Sequence, residues 1–438
     1  MLKTFYTLFL SAVFLSAKAQ NPDTLKQQRF NFHFQQTVIT QTHPGFGAKY
    51  SGDNSLSTNH ETATSLTTTL FGGARLWKGA EAYFNPEMSG GAGFSSTLGA
   101  AGFPNGETFR VGSPEPKIYI ARAYLTQRFS WGNEQDTLSD DNNQLAGLQS
   151  KRYFSITAGK FGMADFFDNN AFSHDPRAQF MNWSLMSNGA WDYPANTRGY
   201  VFGVYMDYHQ PSWDLRFALT MMSTTANGFI WDEKIGKANS QTLEFEKRYS
   251  FSGDKRGTVR VLAFNNNAKM GNYRQAITAN PATPDIASTR NYGRNKFGFG
   301  INADQFLTKD FGVFAKASYN DGRTETWAFT EIDRSISFGG VLTGNSWKRS
   351  KDEVGLAFVG NGISAAHRDY LAAGGYGFII GDGALNYSPE MIAELYYKLN
   401  VYKTNFYLTP EYQFILHPAY NTDRGPINVF GLRAHVEF

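Results

Sequence analysis

The residue types that could do chemistry in this chain are not arranged in any common catalytic pattern. Its eight histidines are scattered, and no two have the His-x-x-x-His spacing that holds zinc on one helical face. No Gly-x-Ser-x-Gly elbow, phosphate loop or dinucleotide fingerprint is present. Acidic clusters at 136–141 and 165–168 suit solvated turns, with a calcium site as the alternative. We therefore predict neither an enzyme nor a cofactor.

Composition points to an exported protein whose charges balance. The chain has 41 Lys and Arg, 38 Asp and Glu, and no cysteine, so an exported form needs something other than disulfides for stability. Without Lys3 and Lys18, 39 basic residues remain and the net charge is +1, which gives no basic field for nucleic acid. Mean hydropathy is −0.41, although 16% of residues are aromatic. Membrane barrels combine these properties, since only alternate strand residues are apolar.

The N-terminus resembles a secretory signal. A short basic start is followed by a largely apolar run at 4–16 and by Ala17-Lys18-Ala19, a small-x-small cleavage site. The apolar run is too short for a membrane-spanning helix, which needs about 20 apolar residues. We predict a signal peptide at 1–19 and one exported domain at 20–438, since no linker or charge block divides the rest.

The last eleven residues alternate with a period of two. Phe430, Leu432, Ala434, Val436 and Phe438 share one parity, and the other parity carries charged or titratable side chains. Lipid on one face and a wet lumen on the other favour this pattern in a membrane strand. We predict that Phe430, Leu432, Val436 and Phe438 form the signal read by the outer-membrane assembly machinery.

Similar runs recur along the chain, bounded by turn residues. Sixteen are recognised, an even number, which is expected when both termini are periplasmic. They cover 30–41, 63–77, 79–88, 117–129, 152–160, 199–209, 213–220, 242–251, 257–265, 295–305, 311–320, 334–342, 353–359, 390–400, 404–414 and 428–438. Short connections such as 78, 210–212 and 401–403 alternate with long ones such as 89–116 and 161–198. The sequence therefore predicts an all-β transmembrane antiparallel barrel of about 16 strands, with short periplasmic turns and long extracellular loops.

Strand parity assigns charged side chains to the lumen. Arg75, Glu81, Glu87 and Arg122 fall on inner positions of neighbouring strands. This is expected because a lipid-facing Lys or Arg costs ~2–4 kcal/mol at the midplane. Three places fit badly: Lys247 falls on the lipid parity, Leu262 and Phe264 fall on the inner parity, and Pro410 interrupts a strand. A bulge or a shifted strand boundary is expected at each, although Lys247 could also snorkel near a membrane edge.

The connection at 161–198 is the longest, at 38 residues, and mixes aromatic, acidic, amide and basic side chains. A long ordered loop in a compact fold usually has a function. We predict that it folds inward and narrows the lumen, with an extracellular cap that plays no part in passage as the alternative. The candidate pore residues that it contributes are Asp165, Asp168, His174, Asp175, Arg177, Trp183, Trp191 and Asp192.

Several strings resemble one family, the carbohydrate-selective porins (OprB family). They are SHDPRAQFMNW at 173–183, NGAWDYP at 188–194, GRTETWAF at 322–329, HRDYLAAG at 367–374 and YNTDRGP at 420–426. The resemblance runs from about residue 30 to residue 438. It implies a sixteen-stranded barrel in the outer membrane of a Gram-negative bacterium that passes sugars by diffusion. It also implies a constricting loop at 161–198, while the single pore residues rest on parity and loop position alone.

A sugar lumen is physically consistent with these residues. Sugars are neutral, with many hydroxyls and apolar CH faces. Aromatic rings can stack on the CH faces, while Arg and carboxylate side chains can hydrogen-bond to the hydroxyls. An anion pore would instead need a ring of Lys or Arg. The expected partners are sugars, membrane lipid and the assembly machinery, but not nucleic acid, and the porin could be a homotrimer or a monomer. The alternatives are a general diffusion porin, a plugged receptor or adhesion barrel, and a barrel lipase, which lacks a Ser/His/Asp set here.

Overall fold

A computed structural model describes residues 27–108, 114–253, 255–402 and 404–438, so the predicted signal peptide lies outside the described residues. Its strands are β1 (Phe30–His43), β2 (Glu61–Trp77), β3 (Ala80–Gly91), β4 (Lys117–Ser130), β5 (Gln135–Leu138), β6 (Gly147–Ser150), β7 (Tyr153–Phe161), β8 (Val201–Gln210), β9 (Trp213–Met221), β10 (Asn239–Ser250), β11 (Arg256–Ala268), β12 (Arg294–Phe306), β13 (Phe311–Asn320), β14 (Arg334–Thr343), β15 (Glu353–Gly362), β16 (Glu390–Asn400), β17 (Phe406–Leu416) and β18 (Ile427–Glu437). Strands β5 and β6 form a separate hairpin, and the other sixteen close into one antiparallel barrel. The predicted fold class is confirmed.

The two ends of the chain close the barrel. Strand β18 pairs with β1, with Gln35 opposite Glu437. Phe438 extends this contact, because its backbone N–H donates to the Phe34 carbonyl at 2.9 Å and its carbonyl accepts from the Phe34 N–H at 3.0 Å. The two phenyl rings stack outside the barrel with centroids 6.4 Å apart. Closure leaves no free strand edge, which a sheet surrounded by lipid requires.

The three predicted irregularities are absent. Lys247 faces outward in a continuous register, with its Nζ 3.3 Å from Ser212 Oγ in the β8–β9 turn, so it snorkels at the periplasmic edge. Leu262 and Phe264 face inward in a continuous register and are 1% and 4% exposed. Pro410 faces outward, and the β16–β17 ladder lapses beside it and then resumes in the same register. The ladders of these strands therefore show no bulge at the three places, and the strand ends that differ from the prediction leave each residue on its predicted parity. Register shifts occur instead at Arg75/Trp77 and Asn85/Pro86.

Connections differ sharply between the two ends of the barrel. On the periplasmic side 78–79, 211–212, 251–255, 307–310 and 401–405 are short, whereas 344–352 is longer and 131–152 contains the β5–β6 hairpin. The extracellular connections are 44–60, 92–116, 162–200, 222–238, 269–293, 321–333, 363–389 and 417–426. In their described residues they contain the α-helices α1 (Trp183–Met186), α2 (Tyr273–Ala279) and α3 (Ala365–Ala372), besides short 3-10 turns.

Among the helices of the described residues, none has both the length and the apolar character needed to cross a membrane.

The apolar core lies inside the barrel. Trp183 and Trp191 of the 162–200 connection are buried there with Phe329 of the 321–333 connection. Leu262 and Phe264 belong to the same cluster, which explains why apolar wall residues face inward. The barrel therefore has an outer apolar surface toward lipid and an inner core built from its own loops.

Candidate substrate path

The 162–200 connection, here called the inward loop, crosses the lumen and is fixed to the wall. The Glu394 carboxylate on β16 accepts hydrogen bonds from the backbone N–H groups of Met181 and Asn182, at 2.6 and 2.9 Å. Arg433 on β18 donates to two loop carbonyls at 2.7 Å, and Lys316 on β13 donates to another at 2.6 Å. The wall thus satisfies loop backbone groups that would otherwise be buried without partners.

Arg122 and Asp165, both predicted as pore residues, form an ion pair. The Arg122 Nε and Nη2 atoms donate to the two carboxylate oxygens of Asp165 at 2.7 and 2.5 Å. Asp165 also accepts from the Gly162 N–H at 2.8 Å, and the guanidinium lies 5.2 Å from the Tyr200 ring centroid. Such a bidentate pair is strong and directional, so it fixes the first turn of the inward loop to β4.

Arg177 joins two extracellular loops to the wall. Its Nε donates to Glu107 at 2.9 Å, its Nη2 to Glu87 at 3.1 Å and its Nη1 to Gln35 at 2.9 Å. Both glutamates are only 1% exposed. Arg177 and Glu87 were predicted from the sequence, but Glu107 was missed because it lies in a connection, where strand parity gives no signal.

Three other predicted residues are packed within the loop core. Asp192 accepts from the backbone N–H groups of Trp327 and Ala328 at 2.8 and 3.0 Å, and so orders the 321–333 connection. Trp183 stacks on Phe103 with ring centroids 4.9 Å apart, and Trp191 is equally buried. Their side chains hold loops together, and a direct part in passage stays a prediction.

Asp168 is a further anchor of the inward loop. It accepts from the Asn188 backbone N–H at 2.5 Å and from Asn302 Nδ2 on β12 at 2.7 Å. Its backbone φ is +57°, a left-handed conformation that Asp tolerates better than most residues. The carboxylate thus ties two parts of the loop to the wall opposite β4.

His174 and Asp175 form a turn in the inward loop. Their backbone N–H groups donate to Gln179 Oε1 at 2.7 and 3.1 Å, and Asp175 accepts from the Arg177 N–H at 2.9 Å. Burial and the Lys316 ammonium both lower the pKa of His174, so the imidazole is neutral at pH 7. Burial alone would raise the pKa of Asp175, but the Arg177 charge and N–H outweigh it and lower that pKa.

Arg75 and Glu81 lie at the periplasmic mouth, apart from Arg122. Arg75 Nη2 is 2.9 Å from Glu81 Oε1, and the Tyr83 hydroxyl donates to Glu81 Oε2 at 2.9 Å. With Arg128 they border an opening of about 460 Å³. Both side chains border the lumen, at a different depth from Arg122, and their part in passage stays a prediction.

A cavity of about 170 Å³ remains between the inward loop and strands β3, β4, β7 and β8. We call it the tyrosine cavity. Its rings are Tyr83, Tyr124, Tyr153, Phe166 and Tyr205, and its charged or amide side chains are Glu81, Arg128, Asn143 and Asp207. Phe166 stacks on Tyr205 with centroids 4.2 Å apart, so the inward loop itself forms one side. Gly159 leaves room beside Tyr124, since a Cβ there would lie 2.3 Å from the Ala123 carbonyl oxygen.

Three buried polar atoms of the tyrosine cavity, Arg128 Nε, Asn143 Oδ1 and Asp207 Oδ1, have no hydrogen-bond partner among the described residues. Buried polar groups in proteins nearly always have one, from protein or from water. One donor and two acceptors around a ring-lined cavity are suited to a solute with hydroxyl groups and apolar faces.

Tyr83 and Tyr124 share the inner parity of Glu81 and Arg122 on their strands, but parity alone does not connect them with the rest of the cavity. Tyr153 and Tyr205 also lie on inner positions of β7 and β8, so four consecutive wall strands each direct a tyrosine inward. That clustering was the available signal. Phe166 had none, because its position depends on how the loop folds.

The acidic clusters at 136–141 and 165–168 had a calcium site as their alternative interpretation. Across the ranges that the structure describes, no group of three or more His, Asp or Glu side chains is placed to hold a metal ion.

Comparison with known proteins agrees with this architecture. A family model described as carbohydrate-selective porin, OprB family, matches residues 53–438. The high-pH structure of Pseudomonas putida OprB is 17% identical over 94% of each chain with a TM-score of 0.70, which shows the fold. Its low-pH structure is 12% identical over 94% of this chain and 93% of that one, with a TM-score of 0.50. No curated protein sequence matches significantly. Because the family model covers most of the sequence, the chain belongs to the carbohydrate-selective porins of the OprB family.

Proposed function

We propose that the tyrosine cavity is the path by which this sugar porin passes carbohydrates into the periplasm. Family membership makes the protein an outer-membrane porin for carbohydrates. The proposal adds where the sugar travels: along β3, β4, β7 and β8, past the inward loop, and out through the opening beside Arg75. Glu81 and Arg128 border both spaces, so the two are adjacent.

The combination of rings and polar side chains around one cavity supports this path. Aromatic faces contact the apolar CH faces of a sugar, while the side chains of Arg128, Asn143 and Asp207 carry donors and acceptors for its hydroxyls. A passing sugar makes these hydrogen bonds one after another, so none needs to be strong enough to trap it.

Charge balance supports a neutral solute. Above the tyrosine cavity, Arg122 is paired with Asp165 and Arg177 with Glu87 and Glu107. Below it, Arg75 and Arg128 are paired with Glu81. No single sign of charge dominates these described pairs, so neither anions nor cations are strongly favoured along this wall.

Sugar block of single-channel current in planar bilayers tests the path. Tyr205→Ala should weaken the block about fivefold, because one lost aromatic contact is worth ~1 kcal/mol. The matched control is Tyr412→Ala, since Tyr412 faces outward on β17 and its variant should keep the native block. Equal block in both variants would count against the tyrosine cavity. A native channel that no sugar blocks would favour the general diffusion porin.

We also propose that the chain is exported by a signal peptide at 1–19 and inserted by the outer-membrane assembly machinery. The outward apolar parity of Phe430, Leu432, Val436 and Phe438 supports recognition of the last strand. N-terminal sequencing of the mature protein should begin at Gln20, and cross-linking should distinguish a homotrimer from a monomer.

A further inference from the structure

The connection between β4 and β7 is unlike the other periplasmic connections of the described chain. Where most of the others are turns of a few residues, residues 131–152 form a hairpin in which β5 pairs with β6, with Gln135 opposite Ser150. The hairpin is attached at its base to β4 and β7, two strands that line the tyrosine cavity. Its tip, residues 139–146, reaches the start of β1 and borders the periplasmic opening.

The tip is fastened to the start of β1. The Asp140 carboxylate accepts from Gln28 Nε2 and Asn31 Nδ2, both at 2.9 Å, and lies 3.0 Å from His33 Nε2. The backbone N–H of Gln28 also donates to the Ala146 carbonyl at 3.0 Å. Because its carboxylate has three side-chain partners, Asp140 holds the tip against the start of β1.

The same tip enters the barrel. Leu145 is only 1% exposed, and Asn143 lines the tyrosine cavity with its Oδ1 atom buried and without a partner. The backbone φ of Asn143 is +55°, a left-handed conformation that Asn adopts more readily than most residues. Asn142, next to it, does not border this cavity.

We propose that the β5–β6 hairpin is the floor of the sugar path and that Asn143 is a specificity-determining residue where sugar leaves the tyrosine cavity. An amide offers both a donor and an acceptor, which suits adjacent hydroxyl groups of one sugar ring. The inference rests on the proposed function in that the tyrosine cavity carries sugar. It adds that selectivity is also set from the periplasmic side, by an element outside the extracellular loops.

The specificity role is tested by sugar block with sugar added on the periplasmic side. Asn143→Ala should weaken the block about fivefold, the effect of one lost hydrogen bond, and should change the ranking within a panel of sugars. The matched control is Asn142→Ala, which should leave both unchanged. Equal block in the two variants would overturn the role of Asn143. If Tyr205→Ala weakens block while Asn143→Ala does not, the proposed function stands and this inference fails.

The floor is tested without sugar, by open-channel ion conductance. Asp140→Ala should raise the conductance or its fluctuations, because the tip loses the contacts of the Asp140 carboxylate with Gln28, Asn31 and His33. Asp136→Ala removes the same charge from the exposed strand β5 and should do neither. Since the sequence has no cysteine, Gln28→Cys/Ala146→Cys introduces one thiol pair between the start of β1 and the tip. Oxidation of this pair to a disulfide should suppress fluctuations of the conductance, and reduction should restore them. If Asp140→Ala and Asp136→Ala have identical conductance and the cysteine pair shows no redox effect, the hairpin is not the floor of the sugar path.

Discussion

Replacement of Arg177 by methionine should loosen the inward loop. The guanidinium makes three hydrogen bonds to buried partners on β1, β3 and the 92–116 connection. Removing one member of a buried ion pair costs about 3–5 kcal/mol, chiefly because the partner charge stays buried. Glu87 still accepts from the hydroxyls of Thr69, Tyr119 and Tyr200, at 2.7, 2.6 and 2.9 Å. We therefore expect the closed state of the inward loop to lose about 3 kcal/mol of stability, the lower end of this range.

Limited proteolysis of the folded protein in detergent measures this loss, since cleavage of the inward loop reports how often it opens. A loss of about 3 kcal/mol raises the open population by roughly a hundredfold. Arg323→Met is the matched control, because the Arg323 side chain is 73% exposed and its variant should open no more than the native protein.

A second substitution separates the charge effect from lost packing. Arg177→Met/Glu107→Gln removes the carboxylate that is left without its ion-pair partner, and should recover about 1–2 kcal/mol relative to Arg177→Met. If the double variant opens as readily as the single one, buried charge is not the cause. If the inward loop is cleaved as slowly in Arg177→Met as in Arg323→Met, Arg177 does not hold the loop.

Three further predictions concern assembly, pore size and selectivity. Deleting Phe438, or replacing it with Asp, should lower the folded, heat-modifiable band in outer membranes, because its backbone pairs with Phe34; unchanged yield would contradict this. Excising about 168–191 should raise conductance severalfold and weaken sugar block, whereas an unchanged conductance would place the loop outside the pore. Arg75→Ala/Arg122→Ala removes one cationic partner from Glu81 and one from Asp165, in surroundings where charges interact roughly fourfold more strongly than in water. Its reversal potential in a salt gradient should shift toward cation selectivity, while Lys151→Ala/Arg152→Ala should show no shift.

The wall of this porin follows from the local pattern of its sequence. Lipid on one face and a polar interior on the other impose a period of two, so the sixteen barrel strands could be predicted to within about three residues at each end, together with the two sides of β18. Arg122 and Arg177 were identified for related reasons, one from parity and the other from a loop too rich in functional side chains to be a simple connection.

What fills the barrel depends on tertiary contacts that no local pattern indicates. Leu262 and Phe264 looked misplaced because a local pattern assumes a wet lumen, whereas the folded loops bring an apolar core against them. Glu107, Phe166 and Asn143 lie in connections, where no periodicity indicates the direction of a side chain. Their positions depend on contacts between segments distant in sequence, such as Arg177 with Glu107 and Phe166 with Tyr205. Such contacts are set by tertiary packing and not by local pattern, so the wall could be predicted and the arrangement of the loops inside it could not.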